Sequence, residues 1–193
     1  MPEASENFPK VPVAPAVDVG SISNRLSREK FVVKAMEDFE SPLIGYANTI
    51  LNDPELARDV VQDTFIRLCQ QDIDKVRDSL KAWLFTVCRN RAFDVLRKEN
   101  RSQSLEDIQW KKVAGPGLQP DEQADQRDTR SQLTLYLHRL TDNQREVIIL
   151  KFQQGLSYQE IHRVTGLTAG NIGFLIHTGL KRLREILPND LRS

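Results

Sequence analysis

Cysteine and long apolar runs are scarce in this 193-residue chain. Its two cysteines, Cys69 and Cys88, stand in neither a CxxC nor a Cys/His spacing, so we expect no disulfide framework and no metal site, and a reducing compartment fits. No apolar run approaches the roughly 18 residues that cross a bilayer, and the proline-dotted start lacks the apolar core of a signal peptide. The sequence therefore predicts a cytoplasmic protein without membrane insertion.

Motifs for catalysis are missing as well. The chain has no Walker loop, no HExxH and no GxGxxG pattern. Its three histidines, His138, His162 and His177, come without a spaced carboxylate motif, and neither they nor the cysteines form a pair of nucleophile and base. We predict that the protein is not an enzyme, with no catalytic residues, no metal ligands and no cofactor.

The chain also lacks an excess of charge of either sign, since it has 27 basic and 27 acidic side chains. The total charge therefore gives no indication of a nucleic-acid partner. The charges are nevertheless unevenly spread, because acids predominate from Asp53 to Asp78, whereas bases predominate from Ser79 to Arg101 and again after Ser131. A neutral total hides one acidic and two basic faces.

What the sequence does contain is apolar residues at helical spacing, which predict an all-α fold of two small helical domains joined by a flexible linker. Residues 1–27 are polar and dotted with proline, so we predict a flexible leader there. Residues 28–101 are the predicted first domain and residues 129–193 the second. Residues 102–128 between them are rich in Ser, Gln, Asp, Gly and Pro, a composition typical of linkers.

In the first domain, two helices are predicted to meet near Ser41 and Pro42. Asp53 and Pro54 then predict the start of another helix, because Asp can cap the free amides and Pro suits the first turn. We expect this helix to run to about Gln70. One of its faces is apolar and packs, and another is polar and stays available.

The polar face of that helix carries Asp59, Gln62 and Asp63 at i, i+3, i+4 spacing. After a predicted loop from Gln71 to Asp78, a basic helix follows and ends near residue 100. Its cations and aromatic side chains suit contacts to phosphates and unpaired bases. The alternative is that the cations form a solvated face and that Trp83 fills a core.

Capping signals define the helices of the second domain. Thr141 with Gln144, and Ser157 with Glu160, are capping boxes in which each side chain bonds to the other residue's backbone amide. The second box predicts a short helix over residues 158–165. After a turn of three residues, a second helical pattern begins at Ala169. Two helices are therefore expected in close succession.

Gly166 is predicted to end the short helix, and Thr168 can cap a last helix from Ala169 to about Leu187. A short helix, a tight turn and a long helix have the form of a helix-turn-helix, whose second helix enters the DNA major groove with its first turns facing base edges. Asn171 lies there and can pair with a base. The alternative is a helical hairpin that only packs.

Taken together, these motifs resemble the extracytoplasmic-function group of bacterial sigma factors over most of the chain. The segment DPELARDVVQDTFIRLCQ, Asp53–Gln70, looks like the region-two helix that docks on the clamp helices of RNA polymerase. The polymerase-binding residues that the resemblance implies are Asp59, Gln62, Asp63 and Phe65.

The segment KAWLFTVCRNRAFDVLRKENR, Lys81–Arg101, looks like the helix that melts and recognises the minus-ten promoter element. The resemblance implies that the Gln71–Asp78 loop helps to capture a flipped base. It also implies that the non-template strand is held by Lys81, Trp83, Arg89, Asn90, Arg97 and Lys98.

The segment from Leu140 to Leu187 looks like region four, which binds the minus-thirty-five duplex. Two departures stand out, because Gly173 replaces a residue that is commonly basic or polar, and residues 177–180 replace a second basic cluster. Gly170, Gly173 and Gly179 each lower helix stability by roughly 1 kcal/mol relative to alanine. The resemblance implies minus-thirty-five contacts from Thr168, Ala169, Asn171, Ile172, Phe174, His177, Lys181 and Arg182.

The resemblance implies an alternative sigma factor that directs promoter recognition, promoter melting and transcription initiation. Its expected partners are core RNA polymerase, through the β′ clamp helices and the β flap, promoter DNA, and an anti-sigma factor. Two other functions stay open from the residues alone. One is a regulator that binds duplex DNA without polymerase, and the other is a helical adaptor that binds no promoter.

Overall fold

Helices account for the part of the chain that is described. The computed structural model describes the backbone of residues 19–102 and 135–188, and the side chains of residues 27–98 and 135–188. Within those ranges every regular element is a helix, so the predicted all-α fold is confirmed. Residues 1–18 of the predicted leader and residues 103–128 of the predicted linker lie outside the described residues.

The first unit, residues 19–102, is built from three long helices and two short helical turns. Along the chain these are α1 (Val19–Leu51), α2 (Pro54–Gln70), α3 (Ile73–Val76), a 3₁₀ turn (Arg77–Ser79) and α4 (Leu80–Ser102). α1 packs along both α2 and α4, which also pack on each other. Large, fully buried side chains at the centre of this unit are Leu43, Tyr46, Val60, Leu68, Leu84 and Phe85.

α1 is one continuous helix, so the predicted junction of two helices near residues 41 and 42 is wrong. Pro42 lies inside α1 and has no backbone N–H to donate to the carbonyl of Asp38. The helix continues because side chains on both sides of the proline, Ala35 before it and Leu43 and Tyr46 after it, are buried in the same core. Packing therefore outweighs the missing hydrogen bond.

α1 also begins at Val19, inside the segment predicted as a flexible leader. Extending an existing helix is easier than nucleating one, because each added residue brings its own backbone hydrogen bond. Arg28, in the early part of α1, donates from Nη2 to the backbone carbonyl of Gln71 at 2.8 Å. That contact ties the start of α1 to the end of α2.

α2 begins and ends where the sequence predicts. Asp53 Oδ1 accepts hydrogen bonds from the backbone amides of Glu55 at 2.8 Å and Leu56 at 3.0 Å, with Pro54 at the first helical position. The cap satisfies amides that have no partner within the helix. The apolar face of α2 is buried through Ala57, Val60, Val61, Phe65 and Leu68.

Most of the predicted loop from Gln71 to Asp78 is helical, so this prediction is corrected. Asp72 accepts a hydrogen bond from the amide of Asp74 at 3.2 Å and caps α3, while Ile73 and Val76 are buried. The 3₁₀ turn then leads directly into α4. A single helical turn is too short to show apolar periodicity in the sequence.

The second unit, residues 135–188, follows the predicted capping signals. Its elements are α5 (Asp142–Ile148), a π turn (Ile149–Gln153), α6 (Tyr158–Thr165) and α7 (Ala169–Ile186). Both capping boxes are present, one between Thr141 and Gln144 and one between Ser157 and Glu160. Gly166 ends α6 with a φ of 76°, a left-handed conformation that glycine adopts without a steric penalty.

The two units pack directly against each other, which the sequence did not indicate. α4 of the first unit lies against α6 of the second. Tyr46 of α1 donates a hydrogen bond from its hydroxyl to Glu146 of α5 at 2.6 Å. Buried apolar side chains from both units belong to one contiguous cluster. The predicted minus-ten helix is thereby placed beside the helix-turn-helix.

Candidate nucleic-acid interface

The solvent-facing side of α2 carries the polar residues predicted to contact polymerase. Asp59 and Gln62 are exposed, and the side chain of Asp63 is 41% exposed. Asp63 already has a partner, because Arg91 Nε of α4 donates to its Oδ2 at 2.7 Å. Phe65, by contrast, is 5% exposed and packs in the core. The structure therefore gathers three of the four predicted residues on one surface.

The N-terminal half of α4 faces the second unit. Lys81 Nζ donates to the backbone carbonyl of Gln154. Trp83 lines an open cleft together with Arg163 of α6. Arg89 forms a salt bridge with a glutamate of α5. Three residues predicted to hold the minus-ten strand therefore lie at the boundary between the units.

The other predicted minus-ten residues, Asn90, Arg97 and Lys98, are exposed on the outer part of α4. Arg97 Nη1 donates to Asp94 Oδ1 at 2.9 Å, in a pair whose side chains are 67% and 52% exposed. Exposed ion pairs contribute little stability and exchange readily for other partners. This end of α4 keeps a basic, accessible surface.

Glu146, which the sequence analysis did not single out, is the acceptor at the centre of the boundary. Its side chain is only 8% exposed. Its Oε1 accepts from the hydroxyl of Tyr46 at 2.6 Å and from Arg89 Nε at 2.7 Å, and its Oε2 accepts from Arg89 Nη2 at 3.2 Å. Such a two-pronged contact is the strong geometry for an arginine and a carboxylate. The sequence does contain a signal that Glu146 is buried, because this carboxylate directly precedes the apolar run of residues 147–150.

The pKa values of Tyr46 and Arg89, the two partners of Glu146, are both raised. Burial, together with the nearby carboxylate, holds the pKa of the Tyr46 hydroxyl well above its usual range. For Arg89, burial alone would lower the pKa, but the hydrogen bond and the charge of Glu146 outweigh burial and raise it. Both groups therefore stay protonated, as donors to the same carboxylate.

The helix-turn-helix predicted from the sequence is formed by α6, its glycine turn and α7. Thr168 caps α7 by accepting from the amide of Asn171 at 3.3 Å, as predicted. In the turn, His162 Nδ1 lies 2.7 Å from the backbone carbonyl of Leu167. The first contact satisfies one of the amides at the start of α7 that have no partner within the helix.

α7 has one buried face and one exposed face. Ile172 is 0% exposed and packs in the core, so its side chain is not presented to a partner. Phe174, two positions further, is 64% exposed although its side chain is large and apolar. The exposed predicted residues are Thr168, Ala169, Asn171, Phe174, His177, Lys181 and Arg182. Two of these seven residues, Lys181 and Arg182, are basic and none is acidic, so the surface is weakly basic.

Groups suited to catalysis or metal binding do not converge in the described part of the chain. There, no three His, Cys, Asp or Glu side chains are placed to hold a metal ion. Burial raises the pKa of the Cys88 thiol to about 12, which keeps it a neutral thiol rather than a nucleophile. Among the helices described, none is long and apolar enough to cross a membrane.

Comparison with protein families separates the chain at the same two units. The Sigma-70 region 2 family matches residues 35–102, and the Sigma-70, region 4 family matches residues 130–183. The chain is 30% identical over 163 residues to the ECF RNA polymerase sigma factor SigX of Bacillus subtilis, covering 80% of this chain and 84% of that protein. It is 35% identical over 134 residues to the ECF RNA polymerase sigma factor RpoE of Cereibacter sphaeroides, covering 67% and 71%.

Solved structures agree with this relationship. The sigma factor RpoE from Bartonella quintana, crystallised with the anti-sigma factor NepR, gives a TM-score of 0.55 at 27% identity, covering 86% of this chain and 96% of that one. CnrH in complex with the cytosolic domain of CnrY gives a TM-score of 0.57 at 22% identity, covering 86% and 91%. The second likeness supports the fold alone.

Over the described residues the chain is helical, and it joins a helix with an exposed basic end to a helix-turn-helix, an arrangement typical of DNA-binding proteins of transcription. Its sequence relatives define it further. The chain belongs to the extracytoplasmic-function family of RNA polymerase sigma factors. It is an alternative sigma factor that directs promoter recognition and transcription initiation, with RNA polymerase and promoter DNA as its partners.

Proposed function

We propose that three separate surfaces carry out this function. The exposed side of α2 docks on the β′ clamp helices, α4 melts and holds the minus-ten strand, and α7 binds the minus-thirty-five duplex while the second unit meets the β flap. The protein acts in the cytoplasm, without catalysis, metal or cofactor of its own, through domains at residues 28–101 and 129–193. The observation that carries the proposal is the exposed N-terminal face of α7 on a capped helix-turn-helix.

The α2 surface suits a basic partner. Asp59 and Gln62 project into solvent from a helix whose opposite face is buried, so docking there disturbs no core contact. Asp63 is held in position by Arg91. A carboxylate that is already oriented loses less conformational freedom on binding than a free one does. We assign polymerase contact to these three residues and a packing role to Phe65.

The α4 surface suits a single strand. Arg97 and Lys98 are exposed cations that can neutralise phosphates, and Asn90 can hydrogen-bond to a base edge. Trp83 supplies an aromatic ring of the kind on which an unpaired base stacks, a contact worth about 1–3 kcal/mol. Lys81 and Arg89 add to this surface once they are released from the second unit.

The α7 surface suits the major groove of a duplex. Asn171 can make paired hydrogen bonds with adenine, and the exposed ring of Phe174 can contact a thymine methyl group. The amides at the start of α7 attract a phosphate. Lys181 and Arg182, both about three turns further along α7 than Asn171, can neutralise the phosphate backbone. Ile172 supports this surface from beneath through core packing.

An anti-sigma partner is also part of the proposal. The Bartonella quintana relative, at 27% identity, was crystallised with an anti-sigma factor. A partner of that kind would act on this chain by covering the α2 surface or the α4 surface. Competition with core polymerase for the chain is the expected readout.

The test is run-off transcription with core polymerase on genomic promoter fragments, with and without the full-length protein. Start sites that require the protein are expected. The variant Asp59→Ala, Gln62→Ala, Asp63→Ala should lose them, because each change removes a polar contact from the docking surface. A matched variant, Glu29→Ala, Glu37→Ala, Glu40→Ala, changes three exposed acids of α1 and should keep them.

Thermal unfolding of both triple variants provides the control, since loss of the Asp63–Arg91 pair could lower stability. An active triple variant on α2 would overturn the docking assignment. If the protein starts no transcription but binds promoter duplex alone, the polymerase-independent regulator is the better function.

A further inference from the structure

Tyr158 lies next to the exposed face of α7, although it belongs to the other helix of the helix-turn-helix. It is the first residue of α6 and is 40% exposed. A Cβ built on Gly173 would lie 3.8 Å from Tyr158 Cε2, at ordinary contact distance. Gly173 directly precedes the exposed Phe174, so the tyrosine ring borders the face of α7 that carries the predicted DNA contacts.

Two features keep the tyrosine ring at this position. Lys151 of the π turn places its Nζ 5.5 Å from the centre of the ring, within the range of about 6 Å over which a cation is attracted to an aromatic face. The same Nζ donates to the backbone carbonyl of Leu156 at 3.3 Å, which holds the ammonium in place. Beside α7 the ring has room because residue 173 is a glycine, and a long side chain there would compete with the ring for the same space.

The first three turns of α7 are short of charge. Residues 169–180 include no Lys, Arg, Asp or Glu, and the first cation of the helix is Lys181. The base-contacting end of a recognition helix nevertheless lies between two phosphate backbones, and contacts to phosphates fix its register. In a helix-turn-helix the first helix crosses the backbone, and the tyrosine hydroxyl is among the groups that bind phosphates. Tyr158, on the first helix and beside the start of the second, is placed for such a contact.

We propose that Tyr158 anchors the minus-thirty-five duplex by donating a hydrogen bond from its hydroxyl to one backbone phosphate, beside the bases that face Asn171 and Phe174. The proposal rests on the assignment of α7 to that duplex, and it adds a contact from the first helix of the motif. A phosphate contact positions α7 in the groove and carries no sequence information. A neutral hydroxyl also releases no counterion, so this contact adds affinity without adding salt dependence.

The test is fluorescence anisotropy of the holoenzyme, formed from the full-length protein and core polymerase, on a labelled duplex with the minus-thirty-five element of a promoter found by run-off transcription. Tyr158→Phe keeps the ring and its contacts with Lys151 and Gly173 and removes only the hydroxyl. We expect the affinity to fall about tenfold, as for the loss of one hydrogen bond to a charged group. The loss should be the same on duplexes with altered bases, and the slope of log affinity against log salt concentration should not change.

Duplexes with single neutral phosphates identify the partner of the hydroxyl. Each phosphate of the element is replaced in turn by a methylphosphonate, which is uncharged and a weaker acceptor. At one position the parent holoenzyme should lose about tenfold in affinity. The Tyr158→Phe holoenzyme should lose little more there, because its hydroxyl is already gone. Such non-additivity is expected of two groups in direct contact.

Two further variants serve as controls. Tyr136→Phe makes the same change at a tyrosine of the second unit that lies outside the helix-turn-helix, so this variant should bind as the parent does. Asn171→Ala should weaken binding in a way that depends on the base sequence, since Asn171 is assigned a base contact. It therefore tests the assignment of α7 independently of Tyr158.

Two outcomes overturn the anchor. One is a Tyr158→Phe holoenzyme that binds like the parent or whose loss depends on the base sequence. The other is a methylphosphonate scan in which parent and variant lose equally at every position. If either occurs while Asn171→Ala still weakens binding to particular sequences, the assignment of α7 stands and only the anchor fails. If Asn171→Ala has no effect on any duplex, the assignment of α7 fails and the anchor fails with it.

Discussion

The two helices assigned to DNA differ in how far the folded protein has already used their side chains. On α4, Lys81 and Arg89 donate to acceptors of the second unit. On α7, Asn171, Phe174 and His177 face solvent from the first turns of a capped helix. The N-terminal half of α4 is cationic and covered by the second unit, whereas the start of α7 is weakly cationic and open.

This difference is one of access while the two units are in contact. Asn171, Phe174 and His177 of α7 are exposed, whereas Lys81 and Arg89 of α4 are bonded to the second unit. It also indicates two kinds of recognition. α4 offers charge, which binds phosphates regardless of sequence, and α7 offers an amide and an apolar ring, which discriminate between base edges.

The largest expected effect is a difference in the free energy of unfolding between substitutions on the buried and the exposed face of α7. Ile172→Ala should lower the free energy of unfolding by about 2–5 kcal/mol, because Ile172 is fully buried and its loss leaves a cavity. Phe174→Ala should change it by only about 0.5 kcal/mol, as surface substitutions usually do. Urea unfolding of the full-length variants measures both. Equal destabilisation by the two changes would mean that the face carrying Phe174 also packs.

A smaller effect on stability is expected from glycine-to-alanine substitutions, which should act differently at the open start of α7 and in its packed middle. A Cβ at Gly170 would meet nothing within 4 Å, so Gly170→Ala should stabilise the helix by about 0.5–1 kcal/mol. A Cβ at Gly179 would lie 2.7 Å from Ile148 Cδ1 and 3.4 Å from Gln144 Cβ. Overpacking of that kind costs about 1–3 kcal/mol.

We therefore expect the Gly170→Ala protein to melt at a higher temperature than the Gly179→Ala protein. The melting temperature of the parent protein should lie between the two or close to that of Gly179→Ala. The two variants add the same methyl group to the same helix, so they control for each other. A Gly179→Ala protein as stable as Gly170→Ala would show that α5 and α7 are less tightly packed than the structure indicates.

The smallest effect concerns base recognition by the open face. If Phe174 contacts a thymine methyl in the minus-thirty-five duplex, deoxyuridine at that position should weaken binding by about 0.8 kcal/mol, or about fourfold. Phe174→Ala should bind the thymine and deoxyuridine duplexes equally. Fluorescence anisotropy of the holoenzyme on both duplexes gives the comparison. A variant that still distinguishes them would assign the methyl contact to another residue.

The candidate site was predictable where its residues act locally. Thr168, Asn171 and the exposed cations of α7 follow from a capping residue and a helical period, and the structure places them accordingly. Phe65 and Ile172 came from the resemblance, which names positions in a motif without saying which way each side chain points. Glu146 was missed, because its partners Tyr46 and Arg89 are 100 and 57 residues away in the chain.

The sequence by itself determined the helix boundaries that depend on neighbouring residues: the cap at Asp53, the two capping boxes and the turn at Gly166. Those contacts reach only two to four residues along the chain, so the order of residue types suffices to predict them. Only the tertiary structure decided that α1 passes through Pro42 and that α4 is covered by the second unit. Both depend on burial against distant segments, and the free energy of that packing is not contained in any local pattern.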